Sequence, residues 1–220
     1  MTRLLVLRPQ PGADTTAARA RALGFEPVIA PLFEVRAVPW DAPDPAAYDA
    51  VLMTSANAAR HGGAALARYR NLTLFAVGAA TARAAADAGY NRIVTGDGDG
   101  AATLAGALAA GHRHILHLAG REHVALEGVD RRIVYASEPL ELAIPDADIA
   151  LLHSARAARR FAQIARDRIA IAAFGAQVAA AAGSGWRAVA VAARPDEERR
   201  LAASARLCDQ GALAGNEDQA

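Results

Sequence analysis

Two serines occupy matched positions in a segment that the chain carries twice. Residues 49–60 read DAVLMTSANAAR and residues 148–159 read DIALLHSARAAR, so the copies align without a gap. In each copy an apolar run typical of a buried strand ends at a serine, Ser55 or Ser154, and a helical pattern follows. The N–H groups at a helix start attract anions, so we expect two anion-binding units. A serine that only caps its helix is the commoner case.

A second apolar strand in each copy ends at a glycine that opens a helix, Gly78 or Gly175. Ligands of parallel α/β sheets bind beyond the carboxyl ends of the strands. We therefore expect four helix starts, two from each copy, to face one another across a cleft. Such a cleft suits a small ligand that carries many carboxylates or phosphates.

Two further side chains carry hydroxyl groups that can serve chemistry. Thr81 lies three residues after Gly78, in the first turn of the predicted helix, where its hydroxyl either reaches the cleft or bonds back to the helix. Tyr135 lies on an extended stretch, and its phenol stays a hydrogen-bond donor up to about pH 10. It could protonate a leaving hydroxide, although a tyrosine that only packs is the alternative.

Composition excludes several other kinds of site. All 24 basic residues are arginine, which excludes Schiff-base lysines and the P-loop lysine. The single cysteine, Cys208, excludes an intrachain disulfide and a cysteine-based zinc site. The GDGDG run at residues 96–100 matches neither a calcium loop nor a dinucleotide motif, so we predict a polar turn before a helix at Ala101. On a strand, His117 would face away from His112 and His114, which argues against a metal site.

Charge and the N-terminal sequence bear on partners and location. The net charge of +1 indicates neither nucleic acid nor an anionic membrane as a partner. Residues 169–186 are nearly uncharged, but their glycines favour a strand, a turn and a helix over a membrane span. The N-terminus lacks the apolar region of a signal peptide. We therefore expect a soluble, cytoplasmic protein.

Short strand patterns alternate with helical, alanine-rich stretches along the chain, which predicts an α/β fold with parallel sheets. One helix is predicted over residues 14–23, with Asp14 as its N-cap. The predicted strands cover residues 4–7, 28–31, 50–54, 74–77, 92–94, 115–118, 132–136, 149–153, 168–173 and 188–191.

The repeat, shifted by nearly half the chain, indicates two similar domains rather than a solenoid. Residues 1–31 look like the opening of the half that resumes near Asp148, so the other half is inserted. We predict a discontinuous domain over residues 1–35 and 139–220, and an inserted domain over residues 39–134. The extended stretches 32–40 and 134–140 would cross side by side as a two-stranded β-ladder hinge.

In these features the sequence resembles the uroporphyrinogen-III synthase family over nearly its whole length. Each motif is weak alone, but their order and spacing are fairly specific. The matching pieces are residues 7–9 (LRP), Gly24 with residues 31–33 (PLF), residues 49–57, residues 77–82 (VGAATA) with Gly89, residues 134–135, residues 148–154, and Gly175 with Gly185.

The resemblance implies an enzyme, a lyase that needs no cofactor or metal. It closes linear hydroxymethylbilane into a macrocycle, with loss of water and inversion of ring D through a spiro-pyrrolenine. Tyr135 matches the family's best candidate for an acid, and Thr81 its helix hydroxyl. We expect substrate contacts from Arg8, Thr54, Ser55, Asn57, Gly78, Ser154, Arg156, Gly175 and Gln177. The resemblance suggests a monomer, and the sequence leaves open a transient hand-off of product to a neighbouring pathway enzyme.

Three departures from the family pattern keep other functions open. Val178 stands where the family often has threonine, with Gln177 as a polar substitute. The crossover over residues 120–134 is short, so its helix should be stunted. Ala119 stands where an arginine is common, and Arg121 could compensate. They allow a non-catalytic tetrapyrrole- or polyanion-binding protein of the same fold. Without the resemblance, the two-domain pattern also allows a hinged small-molecule receptor of the solute-binding kind, against which the missing signal peptide argues.

Overall fold

A computed structural model of the chain describes residues 1–165 and 169–192 and the single residues 201, 204 and 207. The predicted strand start at Arg168, the end of the discontinuous domain and Cys208 lie outside these residues. The chain divides into two compact units, one formed by Met1–Glu34 with Pro139–Ala220 and the other by Val35–Glu138.

Strands and helices alternate along the described part of the chain. The strands are β1 (Arg3–Val6), β2 (Glu26–Ile29), β3 (Phe33–Ala37), β4 (Ala50–Met53), β5 (Thr73–Ala76), β6 (Ile93–Thr95), β7 (Ile115–Gly120), β8 (Asp130–Pro139), β9 (Ile149–Leu152), β10 (Ala170–Ala173) and β11 (Val189–Val191). The α-helices are α1 (Gly12–Ala22), α2 (Ala56–His61), α3 (Ala79–Asp87), α4 (Gly100–Ala109), α5 (Ala155–Ile164) and α6 (Ala176–Ala182). Short 3-10 helices cover Pro45–Ala47 and Ala64–Tyr69.

Each unit is built on its own sheet. The first sheet has the order β11-β10-β9-β1-β2, and its four neighbouring pairs are parallel. The second has the order β3-β8-β7-β4-β5-β6, and its pairs from β8 to β6 are parallel. This confirms the predicted α/β class with parallel sheets, while the two-stranded hinge stays a prediction.

Both sheets are covered on both faces. In the first unit Phe161 of α5 stacks on Trp186 at 5.3 Å within one core, and Ala13 and Ala20 of α1 pack into the core on the other face. In the second unit α2 and α3 pack against one face and α4 against the other. Central strands that are buried on both sides explain why their sequences are continuously apolar.

The predicted strands coincide with observed ones, with ends displaced by a few residues, and β3 lies in a stretch predicted only to be extended. No described helix is long and apolar enough to cross a membrane. Within residues 169–186 the structure has β10 and α6.

Two local predictions were wrong. Helix α1 begins at Gly12, and Asp14 lies in its first turn rather than at its cap. Asp14 instead donates its backbone N–H to Gln10 Oε1 at 3.2 Å and accepts from Gln10 Nε2 at 2.8 Å. Residues 121–129, between β7 and β8, contain no helix at all, not even a stunted one.

The aspartate at the start of each repeat copy accepts hydrogen bonds from the backbone at the start of a neighbouring strand. Asp49 Oδ2 accepts from the backbone N–H groups of Arg113 and His114, at 2.8 and 3.1 Å, just before β7. Asp148 Oδ2 accepts from Arg3 N at 2.7 Å, at the start of β1. Because β7 lies beside β4 as β1 lies beside β9, the two copies use the same device. Burial, the largest single influence, raises the pKa of Asp49, but the two backbone donors and the nearby His112 and His114 together bring the net pKa below its usual value.

We expect Asp49→Asn to lower the free energy of unfolding by about 1–2 kcal/mol at neutral pH, because two N–H groups lose an ionised acceptor. A depressed carboxyl pKa contributes stability above the unfolded-state value and loses it as pH falls through the folded-state value. The difference in free energy of unfolding from wild type should therefore be smaller at an acid pH below the lowered pKa of Asp49, where its carboxylate is protonated, than at neutral pH.

Urea titrations at both pH values measure this difference. Asp87→Asn at the exposed end of α3 is the matched control and should change the free energy of unfolding by less than about 0.5 kcal/mol. The role of the Asp49 carboxylate would be contradicted if both substitutions changed the free energy of unfolding equally. It would also be contradicted if the difference between Asp49→Asn and wild type did not change with pH.

Candidate functional site

A cavity of about 420 Å³ opens at the carboxyl edge of the sheet in the second unit. Thr54 and Ser55, which follow β4, line it together with Val77, which follows β5, and Tyr135 of β8. The start of α4 and the loop between β7 and β8 complete the wall with residues 98–101 and 122–126. Parallel pairing thus brings three of the predicted site residues, Thr54, Ser55 and Tyr135, to one place.

A β-bulge sets the position of Tyr135. The register of β7 against β8 runs from Ala119 opposite Ile133 to Gly120 opposite Tyr135, so Val134 is passed over. Bulges of this kind redirect a side chain. Val134 is buried and Tyr135 packs against the same core, so the Tyr135 ring lies opposite the last residue of β7, beside the cavity.

The Tyr135 ring lies directly over Gly120. A Cβ atom at Gly120 would stand 2.5 Å from Cζ of Tyr135 and 2.8 Å from its hydroxyl oxygen. His61 lies on another side, with its ring centroid 6.4 Å from that of Tyr135. Burial, together with the charge of Arg60, lowers the pKa of His61, so its imidazole is neutral at pH 7. The Tyr135 ring therefore has a glycine backbone and an uncharged imidazole among its neighbours.

Thr54 is held from two sides. Its Oγ1 lies 3.1 Å from Nε2 of His117, a fully buried residue of β7. A Cβ atom at Gly100 would stand 3.2 Å from the Thr54 methyl group, so the start of α4 approaches Thr54 closely. Burial and, to a lesser degree, the charge of Arg131 lower the pKa of His117 to about 4. The His117 side chain is therefore neutral at physiological pH.

The repeated serines cap their helices. Ser55 Oγ accepts from Asn57 N at 3.2 Å, and Ser154 Oγ accepts from Ala157 N at 3.1 Å. Each hydroxyl thus occupies one N–H group that an anion would otherwise use. By contrast, Gly78 and Gly175 provide no side-chain cap to α3 and α6.

The other predicted residues of the second unit lie near the cavity but do not line it. Asn57 accepts a long hydrogen bond from Arg60 at 3.5 Å, and Gly78 opens α3 just after Val77. Thr81 is only 4% exposed, on the buried face of α3. Its predicted contact with a ligand stays a prediction.

The predicted residues of the first unit follow three adjacent strands. Arg8 follows β1, Ser154 follows β9 and Gly175 follows β10. The guanidinium of Arg156 lies 4.3 Å from the centroid of the Phe33 ring, a cation–π contact. Arg8 extends over the start of α1, where Nη1 lies 3.5 Å from Thr16 Oγ1, and Gln177 is exposed on α6, next to the half-buried Val178.

The cavity walls carry more acid than base. Asp99 and Glu122 contribute carboxyl groups, and the lining includes no arginine. Asp99 caps α4 by accepting from Ala102 N at 2.7 Å. His123 Nδ1 lies 2.8 Å from the Gly120 carbonyl oxygen, which can only accept, so that nitrogen is the donor. Ligand acceptors in this cavity would therefore meet hydroxyl, phenol and backbone N–H donors rather than guanidinium groups.

Sequence reasoning did not identify His123 or the start of α4 as parts of the cavity, or His117 as the buried partner of Thr54. His117 could have been noticed as a polar residue within the otherwise apolar sequence of β7. The loop residues gave no periodic signal. Within the described residues, no group of three metal-ligating side chains is placed to hold a metal ion.

Comparison with known proteins gives one family. The sequence model described as uroporphyrinogen-III synthase HemD matches residues 14–202. A native uroporphyrinogen III synthase structure from Thermus thermophilus shares 22% identity with a TM-score of 0.42, over 97% of this chain and 98% of that one. A mutant of the Thermus enzyme shares 18% with a TM-score of 0.49, over 97% and 99%. No curated protein sequence matches significantly.

Proposed function

Because the chain belongs to the uroporphyrinogen-III synthase family, we propose that it closes hydroxymethylbilane into uroporphyrinogen III with loss of water and inversion of ring D. The match over residues 14–202 confirms the resemblance inferred from the motifs and places the chain in porphyrin (haem) biosynthesis. The observation that carries the finer proposal is the cavity in which the Tyr135 phenol lies beside Thr54 and Ser55.

The reaction requires one proton for the leaving hydroxymethyl oxygen and a fixed position for ring D. An electron-rich pyrrole expels its hydroxymethyl oxygen as water once that oxygen is protonated, which leaves an azafulvene cation. Attack by the substituted carbon of ring D forms the spiro-pyrrolenine, which rearranges to the inverted macrocycle. Unassisted closure at the unsubstituted carbon gives the uninverted isomer I. The protein therefore has to hold ring D so that the substituted carbon is nearer, and such positioning supplies on the order of several kcal/mol.

Tyr135 is the proposed proton donor. No described residue accepts a hydrogen bond from its hydroxyl, which lies at a cavity wall. The neutral His61 and the bare Gly120 backbone beside the ring place no fixed charge against the phenol. General acid help of this kind contributes about 100-fold to a rate.

The cavity holds only part of so large a ligand. A volume of about 420 Å³ falls within the range of small-molecule sites, and a chain of four pyrroles with eight carboxylates exceeds it. We propose that the ring carrying the hydroxymethyl group enters this cavity. The proposal assigns carboxylate contacts in the first unit to Arg8, Ser154, Arg156, Gly175 and Gln177, and in the second to Asn57 and Gly78. In this proposal Thr81 supplies a second hydroxyl group to the substrate, and a two-stranded hinge joins the two units. The proposed protein is a monomer located in the cytoplasm.

The function is tested by supplying freshly generated hydroxymethylbilane and resolving uroporphyrinogen isomers I and III. We expect isomer III in excess over a control without protein. Formation of isomer I alone would overturn the synthase proposal and leave a non-catalytic tetrapyrrole-binding protein.

For Tyr135→Phe we expect a loss of about 100-fold in kcat with little change in KM, because the phenol acts on the leaving oxygen. The ring and its packing stay in place, so the free energy of unfolding should hold within about 0.5 kcal/mol. Unchanged turnover would remove Tyr135 from the role of acid.

For Gly120→Ala we expect a loss of turnover comparable to that of Tyr135→Phe, because the new methyl group displaces the Tyr135 ring from the cavity wall. The contacted atoms lie at the far end of a side chain that can swing away, so the cost in stability should stay near 1 kcal/mol. Gly106→Ala, in α4 with open space around its Cβ position, is the matched control. It should keep full activity and gain about 0.5–1 kcal/mol of stability.

A further inference from the structure

His117 is a neutral imidazole in an otherwise apolar strand. It is fully buried in β7, opposite Leu52 of β4 on one side and Arg131 of β8 on the other. Burying a polar ring costs free energy unless its nitrogen atoms find partners. Nε2 has one, the Thr54 hydroxyl oxygen at 3.1 Å. Nδ1 has no hydrogen-bond partner among the described residues.

The surroundings of His117 decide which nitrogen carries the proton. Arg131 is its register partner, so both side chains project from the same face of the sheet. Nε of Arg131 is also buried without a hydrogen-bond partner. A proton on Nδ1 would add a second buried donor without a partner on the sheet face that carries the cationic Arg131, whereas the positive charge of Arg131 favours a lone pair on Nδ1. The neutral ring therefore carries its proton on Nε2.

This tautomer fixes the direction of the Thr54 hydroxyl. With a proton on Nε2, the imidazole donates to Thr54 Oγ1, and the hydroxyl keeps its own proton for another acceptor. The Thr54 methyl group is held against the start of α4 at Gly100, which limits rotation of the side chain. Since Thr54 lines the cavity, its proton is available to a ligand there.

We propose that His117 is a positioning residue that holds the Thr54 hydroxyl as a hydrogen-bond donor toward the cavity, where it binds a carboxylate of the substrate. This assignment rests on the proposed function for the identity of the ligand. A carboxylate that binds in this cavity needs a hydrogen-bond donor. The lining contains two acidic side chains and lacks an arginine that could supply one. A threonine free to rotate would offer an acceptor lone pair as readily as a proton.

The tautomer is tested first, on the unliganded wild-type protein. Long-range ¹H–¹⁵N spectra of protein labelled in histidine should show a protonated Nε2 and an unprotonated Nδ1 for His117, assigned by its loss in His117→Gln. The reverse pattern would overturn the proposal. Because this measurement needs no turnover, its result is separate from that of the isomer assay.

Coupling between the two residues is tested by binding of uroporphyrinogen III under anaerobic conditions. We expect Thr54→Val to raise Kd about tenfold, the loss of one hydrogen bond to a charged acceptor. His117→Leu should raise Kd by a similar factor in the wild-type background and very little in the Thr54→Val background. Thr54→Ser, which keeps the hydroxyl, should stay near wild type. The proposal would be overturned if the Kd of the double variant rose by the product of the two single factors. It would also be overturned if Thr54→Val left the affinity unchanged.

His117→Gln covers the case in which His117→Leu fails to fold. The Gln amide nitrogen can occupy the position of Nε2 and donate to Thr54, so affinity should stay within about threefold of wild type. A loss as large as that of Thr54→Val in a folded His117→Gln protein would contradict the donor role. In activity assays Thr54→Val and His117→Leu should raise KM with kcat nearly unchanged, a pattern that a general loss of structure would not produce.

Discussion

Parallel pairing of the neighbouring strands β8, β7 and β4 is the constraint on which the candidate site depends. Parallel strands bring their carboxyl ends to one edge of the sheet, so residues distant in sequence meet there. Tyr135 stands opposite Gly120, and His117 of β7 reaches Thr54 after β4. A shift of one residue in either pairing would turn these side chains to the opposite face. Asp49 fastens this register, because its carboxylate binds the backbone just before β7.

The candidate site presents neutral donor groups and no arginine to a ligand, beside the two carboxyl groups of Asp99 and Glu122. Thr54, Ser55 and Tyr135 present hydroxyl groups, and His61 and His117 are neutral at pH 7 because burial lowers the pKa of each. A reaction whose outcome depends on which carbon of one pyrrole attacks needs defined geometry more than a strong field. Side chains held by buried partners meet that need, since each has few alternative rotamers.

Much of the fold was predictable from the sequence, because continuous apolar runs separated by helical patterns specify a parallel α/β sheet. The strand–serine–helix repeat gave the positions of Thr54 and Ser55 at a strand end. The role of His117 was not predictable, since it depends on the register of β7 against its neighbours. Nor was the bulge that brings Tyr135 over Gly120, because a bulge leaves no periodic trace in the sequence.

The errors had local causes. Asp14 was assigned as a cap from residue type alone, whereas the backbone turns into α1 at Gly12 and the Gln10 side chain binds the Asp14 N–H. A stunted helix was expected in the crossover over residues 120–134 because parallel crossovers usually contain a helix. The loop formed instead packs Leu126 into the core and supplies a wall of the cavity.

The most direct test of the central claim is to locate the bound tetrapyrrole. Titration of ¹⁵N-labelled protein with uroporphyrinogen III under anaerobic conditions should shift the backbone amide signals of Ser55, Gly100 and Tyr135 in a saturable manner. If those three signals stay unchanged while the ligand binds elsewhere on the chain, the cavity at the carboxyl edge of the second sheet is not the reaction site.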